Sequence, residues 1–361
     1  MGRDVAWIEA ALRRTLASGE RITGVCVMST GHSNETYLIE GLDLILRMPP
    51  SGAPLLDGLD MARQFQIYAV MGRMEGAPPV PRVLYLCEDE TVLGAPFYLV
   101  ERVCGEPLAE YEIPGWFADA PEAVRDSMSR QYVEAYAGLA SLEPLDLLGP
   151  VRTPIDECLR WRGFAQASGQ PTLVAAIDRL IALPHRRSGP PAPINGDAKM
   201  GNLLWRDGRL TAMLDWELAI NGEPLAELGY MLYFFESERH PAALGCDLPG
   251  MWRRDRVIAE WERATGRSAQ GIEWYEAAAG AKIAAIMAYG YHLTQSGQSD
   301  DPRMAAWLPT VEQWTAMTIA FIDSMEDMKE SETMAAQRTK ARIDGAPTQV
   351  QEDGFRHQGD R

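Results

Sequence analysis

Between residues 194 and 217 the chain reads INGDAKMGNLLWRDGRLTAMLDWE. Two carboxylates (Asp197, Asp215), an amide (Asn202) and an ammonium (Lys199) lie in a stretch otherwise suited to a short β-hairpin. Asp207-Gly208, between two strand-like runs, is the turn such a hairpin needs. As a two-residue turn it predicts Arg206 opposite Arg209, Trp205 opposite Leu210, Leu203 opposite Ala212 and Asn202 opposite Met213. Side chains alternate along a strand, so Asp215, two residues past Met213, is expected on the face of Asn202. Diagonal neighbours of that kind sit roughly 7–8 Å apart at Cα. An amide oxygen and a carboxylate at that spacing can reach one small cation, and hard oxygen ligands suit Mg2+. Asp197 stands in the loop before the first strand and is expected to overhang the same end, with Lys199 adding a positive charge. Phosphoryl transfer requires this set: a metal on the phosphate oxygens, a carboxylate that orients a hydroxyl, and a cation for the moving charge. The D-x4-N spacing alone leaves a plainer alternative open, with Asp215 capping a strand and Asn202 closing a turn.

The elements that must position these residues follow from periodicity. MGRDVAWIEAALRRTL reads as an amphipathic helix rather than a signal peptide. Residues 22–47 carry strand signals interrupted by the turn chemistry of STGHSNET and by Gly41. LDGLDMARQFQIYAVMGRM has helical spacing, and VPRVLYLCEDE and APFYLVERVCG read as strands. From about residue 115 the period becomes helical: 121–142, two pieces over 159–183 broken near Gly169–Pro171, then 224–238, 250–265, 271–297 and 303–328. This predicts an α+β molecule, with a β-rich ATP-binding lobe over 1–104 and a helical catalytic and acceptor-binding lobe over 105–330. The polar stretch 331–361 is expected to be a disordered tail.

Composition narrows the function classes. The net charge of −17 leaves no basic surplus for phosphate backbones, which argues against nucleic acid as partner. It is compatible with a cationic substrate, although solubility alone accounts for it. No run of about 18 apolar residues exists, so no membrane partner is expected and the default location is the cytoplasm. The five cysteines and five histidines are dispersed without metal-ligand spacing, which excludes a zinc site on sequence grounds.

The segments GHSNETYLI, LILRMPP, VPRVLYLCEDETVLGAPFYLVERVCG, NGDAKMGNLLW and MLDWELAINGEPLAELGYML carry a resemblance. Over about residues 22–325 the chain resembles the aminoglycoside phosphotransferase and choline-kinase-like small-molecule kinases. It looks closest to the branch that includes kinase-like domains attached to some acyl-CoA dehydrogenases. The resemblance implies a protein-kinase-like two-lobed fold, with ATP and Mg2+ as cofactors. It implies Asp197 as the catalytic aspartate, Asn202 and Asp215 as metal ligands, and Lys199 as a γ-phosphate contact. STGHSNET falls where such folds have a loop over the ATP phosphates; with the single glycine Gly31, backbone N–H groups together with Ser33 and Asn34 would do the cradling. Glu101 to Val103 would form the hinge that meets the adenine. Glu217 completes a DWE signature, either supporting its neighbours or pairing at the surface.

Three positions depart from the wider pattern. Arg47 stands for the strand lysine that meets the α/β-phosphates, and arginine can bind phosphate bidentately. Gln64 stands where a glutamate would hold that cation, and adds no charge. Asn195 replaces the histidine of an H-G-D triplet, and an amide that bonds the backbone is expected to substitute for it.

For the acceptor, a small molecule bearing a hydroxyl, the sequence offers two sets. Glu227, Glu236 and Glu238 would help line an acidic pocket for an aminoglycoside. ALPHRRSG (182–189) is the compact basic candidate for the phosphates of a hydroxyacyl-CoA. A non-catalytic nucleotide-binding regulatory module is the competing class. A protein kinase is disfavoured because no APE-type segment follows DWE.

Overall fold

The computed structural model describes residues 3–30, 34–56, 60–108, 112–236 and 245–344. It comprises two compact units, 1–322 and 323–361, and everything below about the site concerns the first.

Helix α1 (Val5–Thr15) begins at Asp4, whose carboxylate accepts from the Ala6 N–H at 2.9 Å. Strands β1 (Gly24–Thr30), β2 (Glu35–Glu40), β3 (Leu44–Met48), β4 (Val83–Cys87) and β5 (Phe97–Glu101) then form one antiparallel sheet in the order β1-β2-β3-β5-β4. Helix α2 (Met61–Met71), capped by Asp60, packs on β4 and β5, and the single turn α3 (Glu90–Leu93) precedes β5. Period-two alternation decides which way each side chain faces. Tyr37, Ile39, Leu46, Met48, Phe97 and Leu99 bury one face of the sheet under Ile8 and Leu12 of α1. Arg47 and Tyr98, lying between those positions in β3 and β5, therefore turn to the opposite face.

Past β5 the chain crosses to strand β6 (Glu106–Pro107), which pairs with the edge of the C-terminal hairpin. A single turn α4 (Gly115–Ala118) leads into α5 (Glu122–Leu139), α6 (Pro154–Ala167) and α7 (Pro171–Ala182). The break expected near Gly169–Pro171 is present, with Pro171 in the first turn of α7. α6 begins earlier than periodicity indicated, because Thr153 and Asp156 form a reciprocal capping box ahead of Pro154. Strands β7 (Ala192–Ile194), β8 (Leu203–Arg206), β9 (Arg209–Met213) and β10 (Ile220–Gly222) follow, then α8 (Leu225–Leu232), α9 (Arg254–Thr265), α10 (Ile272–Gln295), α11 (Pro302–Ala305) and α12 (Leu308–Asp344). α10 packs against α6, α7 and α8 through a face rich in alanine and glycine. The approach to α8 is close enough that a Cβ on Gly229 would stand 2.7 Å from the Tyr275 carbonyl carbon. The result is a protein-kinase-like α+β fold, a β-rich N-terminal lobe on a mainly helical C-terminal lobe. Among the described residues, no helix is long and apolar enough to cross a membrane.

Two further details differ from the sequence reading. The hairpin turn is at Asp207-Gly208, with Arg206 opposite Arg209 and Trp205 opposite Leu210 as expected, but a bulge then shifts the register. Leu204 pairs with Ala212 and Leu203 with Met213, while the Thr211 hydroxyl donates to the Leu204 carbonyl at 3.1 Å. Asn202 consequently faces Leu214, whose N–H donates to the Asn202 carbonyl at 2.7 Å. The second difference is at the C-terminus, where helix continues to Asp344 because SETMAAQRTKAR is rich in good helix formers. The rest of the expected tail, 345–361, lies outside the described residues.

Candidate active site

Strand pairing brings two loops together. β7 pairs with β10, Ile194 opposite Ile220, and β8 pairs with β9, Leu203 opposite Met213. Residues 195–202 and 214–219 are therefore two spans strung between the same two ladders. The turn Met200–Asn202 is a short 3-10 helix, and Asp215 has φ of 59°, a left-handed conformation that aspartate tolerates better than most residues. The shared face expected for Asn202 and Asp215 from strand alternation does not follow, because the register is displaced by one residue and Asp215 stands one place past the partner of Asn202. Neither is in a strand; a 3-10 turn and a left-handed residue direct them.

Asn195 ties the two spans together. Its amide nitrogen donates to the Asp215 carbonyl at 2.9 Å and the Leu214 carbonyl at 3.3 Å, and its oxygen accepts from the Asp197 N–H at 3.1 Å. The Asn195 amide thus bonds backbone groups at both its nitrogen and its oxygen. The next residue, Gly196, sits at φ of +86°, and a Cβ there would lie 2.6 Å from the Leu218 carbonyl oxygen, so only glycine fits.

Asp197 is held at both carboxylate oxygens. The Tyr230 hydroxyl donates to Oδ1 at 2.6 Å; Asn202 Nδ2 donates to Oδ2 at 2.8 Å, and Lys199 Nζ lies 3.2 Å from the same oxygen. Burial pushes the Asp197 carboxyl up, but Lys199, Tyr230, Asn202 and Lys282 together outweigh it and hold the group below the usual carboxylate range. Behind the loop, Glu227 of α8 accepts from the Asn195 N–H at 3.0 Å and the Gly196 N–H at 2.7 Å. Burial drives its carboxyl up to about 7, against the lowering effect of those two donors and of Lys282. Lys282 of α10 donates to the Gly196 carbonyl, with its Nζ 5.3 Å from the Tyr230 ring centre and 5.5 Å from that of Trp161.

On the N-lobe side, Arg47 Nη2 lies 3.2 Å from Asp215 Oδ1, so the sheet reaches the second loop through an ion pair. Burial opposes the Arg47 charge, yet Tyr98, Asp215, Tyr68 and Glu217 outweigh it and hold its pKa above the ordinary value. The Tyr68 hydroxyl accepts from the Asp215 N–H at 3.2 Å. Gln64 accepts from the Tyr98 hydroxyl at 3.3 Å, and neither its Nε2 nor Arg47 Nε has a hydrogen-bond partner among the described residues. Tyr98 thus lies beside both Gln64 and Arg47. Tyr98 itself is pushed up to about 12, mainly by burial.

Asn34 does not lie free in a phosphate loop. Its Nδ2 donates to Glu217 Oε2 at 2.8 Å, linking β2's leading edge to the DWE segment, while its buried Oδ1 has no partner among the described residues. Gly31 and Ser33 lie outside the described residues. Glu101 ends β5 with its carboxylate accepting from the Arg82 N–H at 2.9 Å, and Val103 follows in the crossover between lobes.

A cavity opens beside the loop, between α6, α8 and α10. Trp161, Tyr230, Trp274 and Tyr275 supply aromatic wall, with Gly196 and Lys282 at the Asp197 end. Tyr230 and Lys282 were not legible beforehand as site residues, though lysine is scarce here: Lys199, Lys282, Lys329 and Lys340 are all the chain has. A lysine inside the alanine-rich run GAKIAAIMAYG was the available signal.

A sequence model of the phosphotransferase enzyme family matches residues 25–279. Acyl-CoA dehydrogenase family member 10 of Mus musculus is 30% identical over 218 residues, 57% of this chain and 20% of that protein. Acyl-CoA dehydrogenase family member 11 of Rattus norvegicus is 27% identical over 249 residues, 64% of this chain and 31% of that protein. The chain therefore spans less than a third of the length of these curated relatives. Among solved structures, a candidate aminoglycoside phosphotransferase from Ralstonia eutropha superposes with a TM-score of 0.67 at 22% identity, over 89% of this chain and 98% of that one. Aminoglycoside phosphotransferase APH(4)-Ia, in ternary complex with AMP-PNP and hygromycin B, gives 0.52 at 15% identity, over 84% and 94%. At these identities the superpositions show a common fold.

Proposed function

The chain belongs to the phosphotransferase enzyme family, and on that premise we propose that it is an ATP- and Mg2+-dependent kinase acting on a hydroxyl of a small molecule. One observation carries the reading: Asp197, half-buried and held below the usual carboxylate range, stands beside Lys199 and Asn202 and is bonded by Tyr230, which lines a cavity. A carboxylate that stays ionised while desolvated can accept a hydroxyl proton. The acceptor oxygen then forms a bond to the γ-phosphorus, the bond from that phosphorus to the bridging oxygen breaks, and ADP leaves with the electron pair. Asp197 takes the proton, and Lys199 sits within reach to balance charge on the group in transit.

The nucleotide fits features of this protein. Arg47 Nε, Gln64 Nε2 and Asn34 Oδ1 are buried polar atoms without partners among the described residues on the N-lobe side of the cleft, and such atoms are costly unless a ligand satisfies them. Arg47 would bind phosphate, and the backbone from Glu101 to Val103 would meet the adenine. Gly31 and Ser33 belong to the same proposed cradle. For the metal, Asn202 has its nitrogen engaged by Asp197, which leaves its carbonyl oxygen as the ligand atom, and Asp215 supplies a carboxylate. Among the described residues no three His, Cys, Asp or Glu side chains converge on one point. Two protein oxygens, completed by phosphate and water, suit Mg2+, which when bound would neutralise phosphate charge. The domain roles proposed from sequence follow: 1–104 for nucleotide, 105–330 for catalysis and acceptor. An aminoglycoside-like or a hydroxyacyl-CoA-like compound is the proposed acceptor range.

The test is ADP release and 31P detection of product across an acceptor panel, with Asp197→Asn as the blank. The expected result is a loss of turnover of roughly 10²–10⁴-fold, with stabilisation by Mg·ATP retained. A variant that turned over like the parent would remove the assignment. Nucleotide binding with no transfer to any acceptor would leave the regulatory module as the reading.

A further inference from the structure

The cavity beside Asp197 limits what can be phosphorylated. Its wall is built from the rings of Trp161, Tyr230, Trp274 and Tyr275, with aliphatic groups between them. Such a wall favours apolar surface, because each methylene removed from water is stabilising. The carboxylates that line it are all engaged by the protein. Glu227 accepts from the N–H groups of Asn195 and Gly196 at 3.0 and 2.7 Å. Glu223 accepts from the Ser188 N–H at 3.0 Å and from its hydroxyl, and lies 3.4 Å from Arg187 Nε. Glu157 accepts from Arg152 at 3.0 Å.

Of the acidic set read from sequence, Glu227 is therefore committed to the loop. Glu236 is absent from the cavity lining and its charge acts on Arg254, while Glu238 lies outside the described residues. At the inner end the cavity meets a cation, Lys282, on the Gly196 carbonyl. An ammonium group entering here would lose its hydration, meet no uncommitted carboxylate among the lining residues, and stand near Lys282. A hydroxyl fares differently. The Tyr230 oxygen, 2.6 Å from Asp197 Oδ1, marks the place from which a hydroxyl addresses the carboxylate.

Resting on the phosphotransferase reading above, we infer that the acceptor is an alcohol with an apolar alkyl or aryl body and no ammonium group, its body in this cavity and its hydroxyl directed at Asp197. An amino sugar is excluded as the preferred acceptor. ALPHRRSG does not present a ready anion patch at the rim, since Arg187 and Ser188 are bound to Glu223 and Arg186 to Gln270.

The experiment measures binding and transfer separately on the full chain. Calorimetry in the presence of Mg·AMP-PNP gives Kd for straight-chain alcohols from butanol to decanol, for phenylalkanols, and for kanamycin as the amino-sugar probe. The expected result is affinity rising roughly fourfold per methylene until the cavity fills. Ala278→Leu, a helix-compatible change at a half-buried lining position, should weaken the longer alcohols at least tenfold. Retention of the melting-temperature rise with Mg·ATP shows that this variant is folded. A flat series, insensitivity to Ala278→Leu, or tighter binding or faster phosphorylation of kanamycin overturns the inference. Alcohols that bind as predicted yet receive no phosphate from Mg·ATP support the cavity assignment and sink the kinase reading instead.

Discussion

At the scale of single residues, Asn195 shows how one amide can hold two loops together. The amide makes one acceptor and two donor contacts, all to backbone, so shape and hydrogen-bond polarity are what the position requires. Asn195→His is expected to retain turnover within a few-fold, because an imidazole can also accept at one nitrogen and donate at the other. Asn195→Leu leaves the Asp197 N–H and two carbonyls without partners and should cost about 2–4 kcal/mol in chemical denaturation. If the histidine variant were inactive while folded, the loop account would fail. Asp197, Lys199, Asn202 and Asp215 were singled out by residue type and their place around a hairpin, and the structure brings all four to adjoining loops. Tyr230, Lys282, Tyr68 and Tyr98 were not, because nothing in a linear pattern shows that a residue from α2, β5, α8 or α10 approaches a loop far away in sequence.

At the scale of elements, the two-ladder arrangement determines where the loops meet, and one buried carboxylate on α8 holds the first of them. Burial pushes Glu227 up to about 7 in the folded chain against an ordinary 4.5, and the charged groups around it are Lys282 and Asp197, with the neutral Tyr136 phenol nearby. A raised folded value means that the folded protein retains a proton which the unfolded chain has released. The contribution is therefore complete below about 4.5 and is lost as pH rises through about 7. Its size is on the order of 3 kcal/mol. Asp197, with its lowered value, acts in the opposite sense and only below the ordinary aspartate range. Melting curves across the window from 4.5 to 7 should slope downward in the parent and flatten in Glu227→Gln. An unchanged slope would show that other groups carry the dependence. Turn chemistry predicted the hairpin and its first two pairs. The register beyond was not legible, because a bulge held by the Thr211 hydroxyl leaves no signature in alternation.

At the scale of the whole molecule, the switch from period two to helical period anticipated a β-rich N-terminal part followed by a mainly helical one. What composition concealed was the reach of α12, since a polar sequence of good helix formers reads as a tail when helices are sought by their apolar stripe. The lobes touch through Arg47–Asp215 and Asn34–Glu217. Saturating Mg·ATP, at about a hundred times Kd, is expected to stabilise the chain by about 2.7 kcal/mol. Chelating the metal should abolish turnover and remove most of that gain, and Arg47→Met should reduce it. Full stabilisation by ATP in excess chelator would contradict the proposed metal pair.

Glu227 and Lys282 hang the Asp197 loop from the helices that also wall the cavity. Whatever fills the cavity leans on the supports of the loop, and whatever orders the loop stiffens the wall. Thermodynamic linkage makes such an effect symmetrical: the factor by which nucleotide tightens the alcohol must equal the factor by which the alcohol tightens nucleotide.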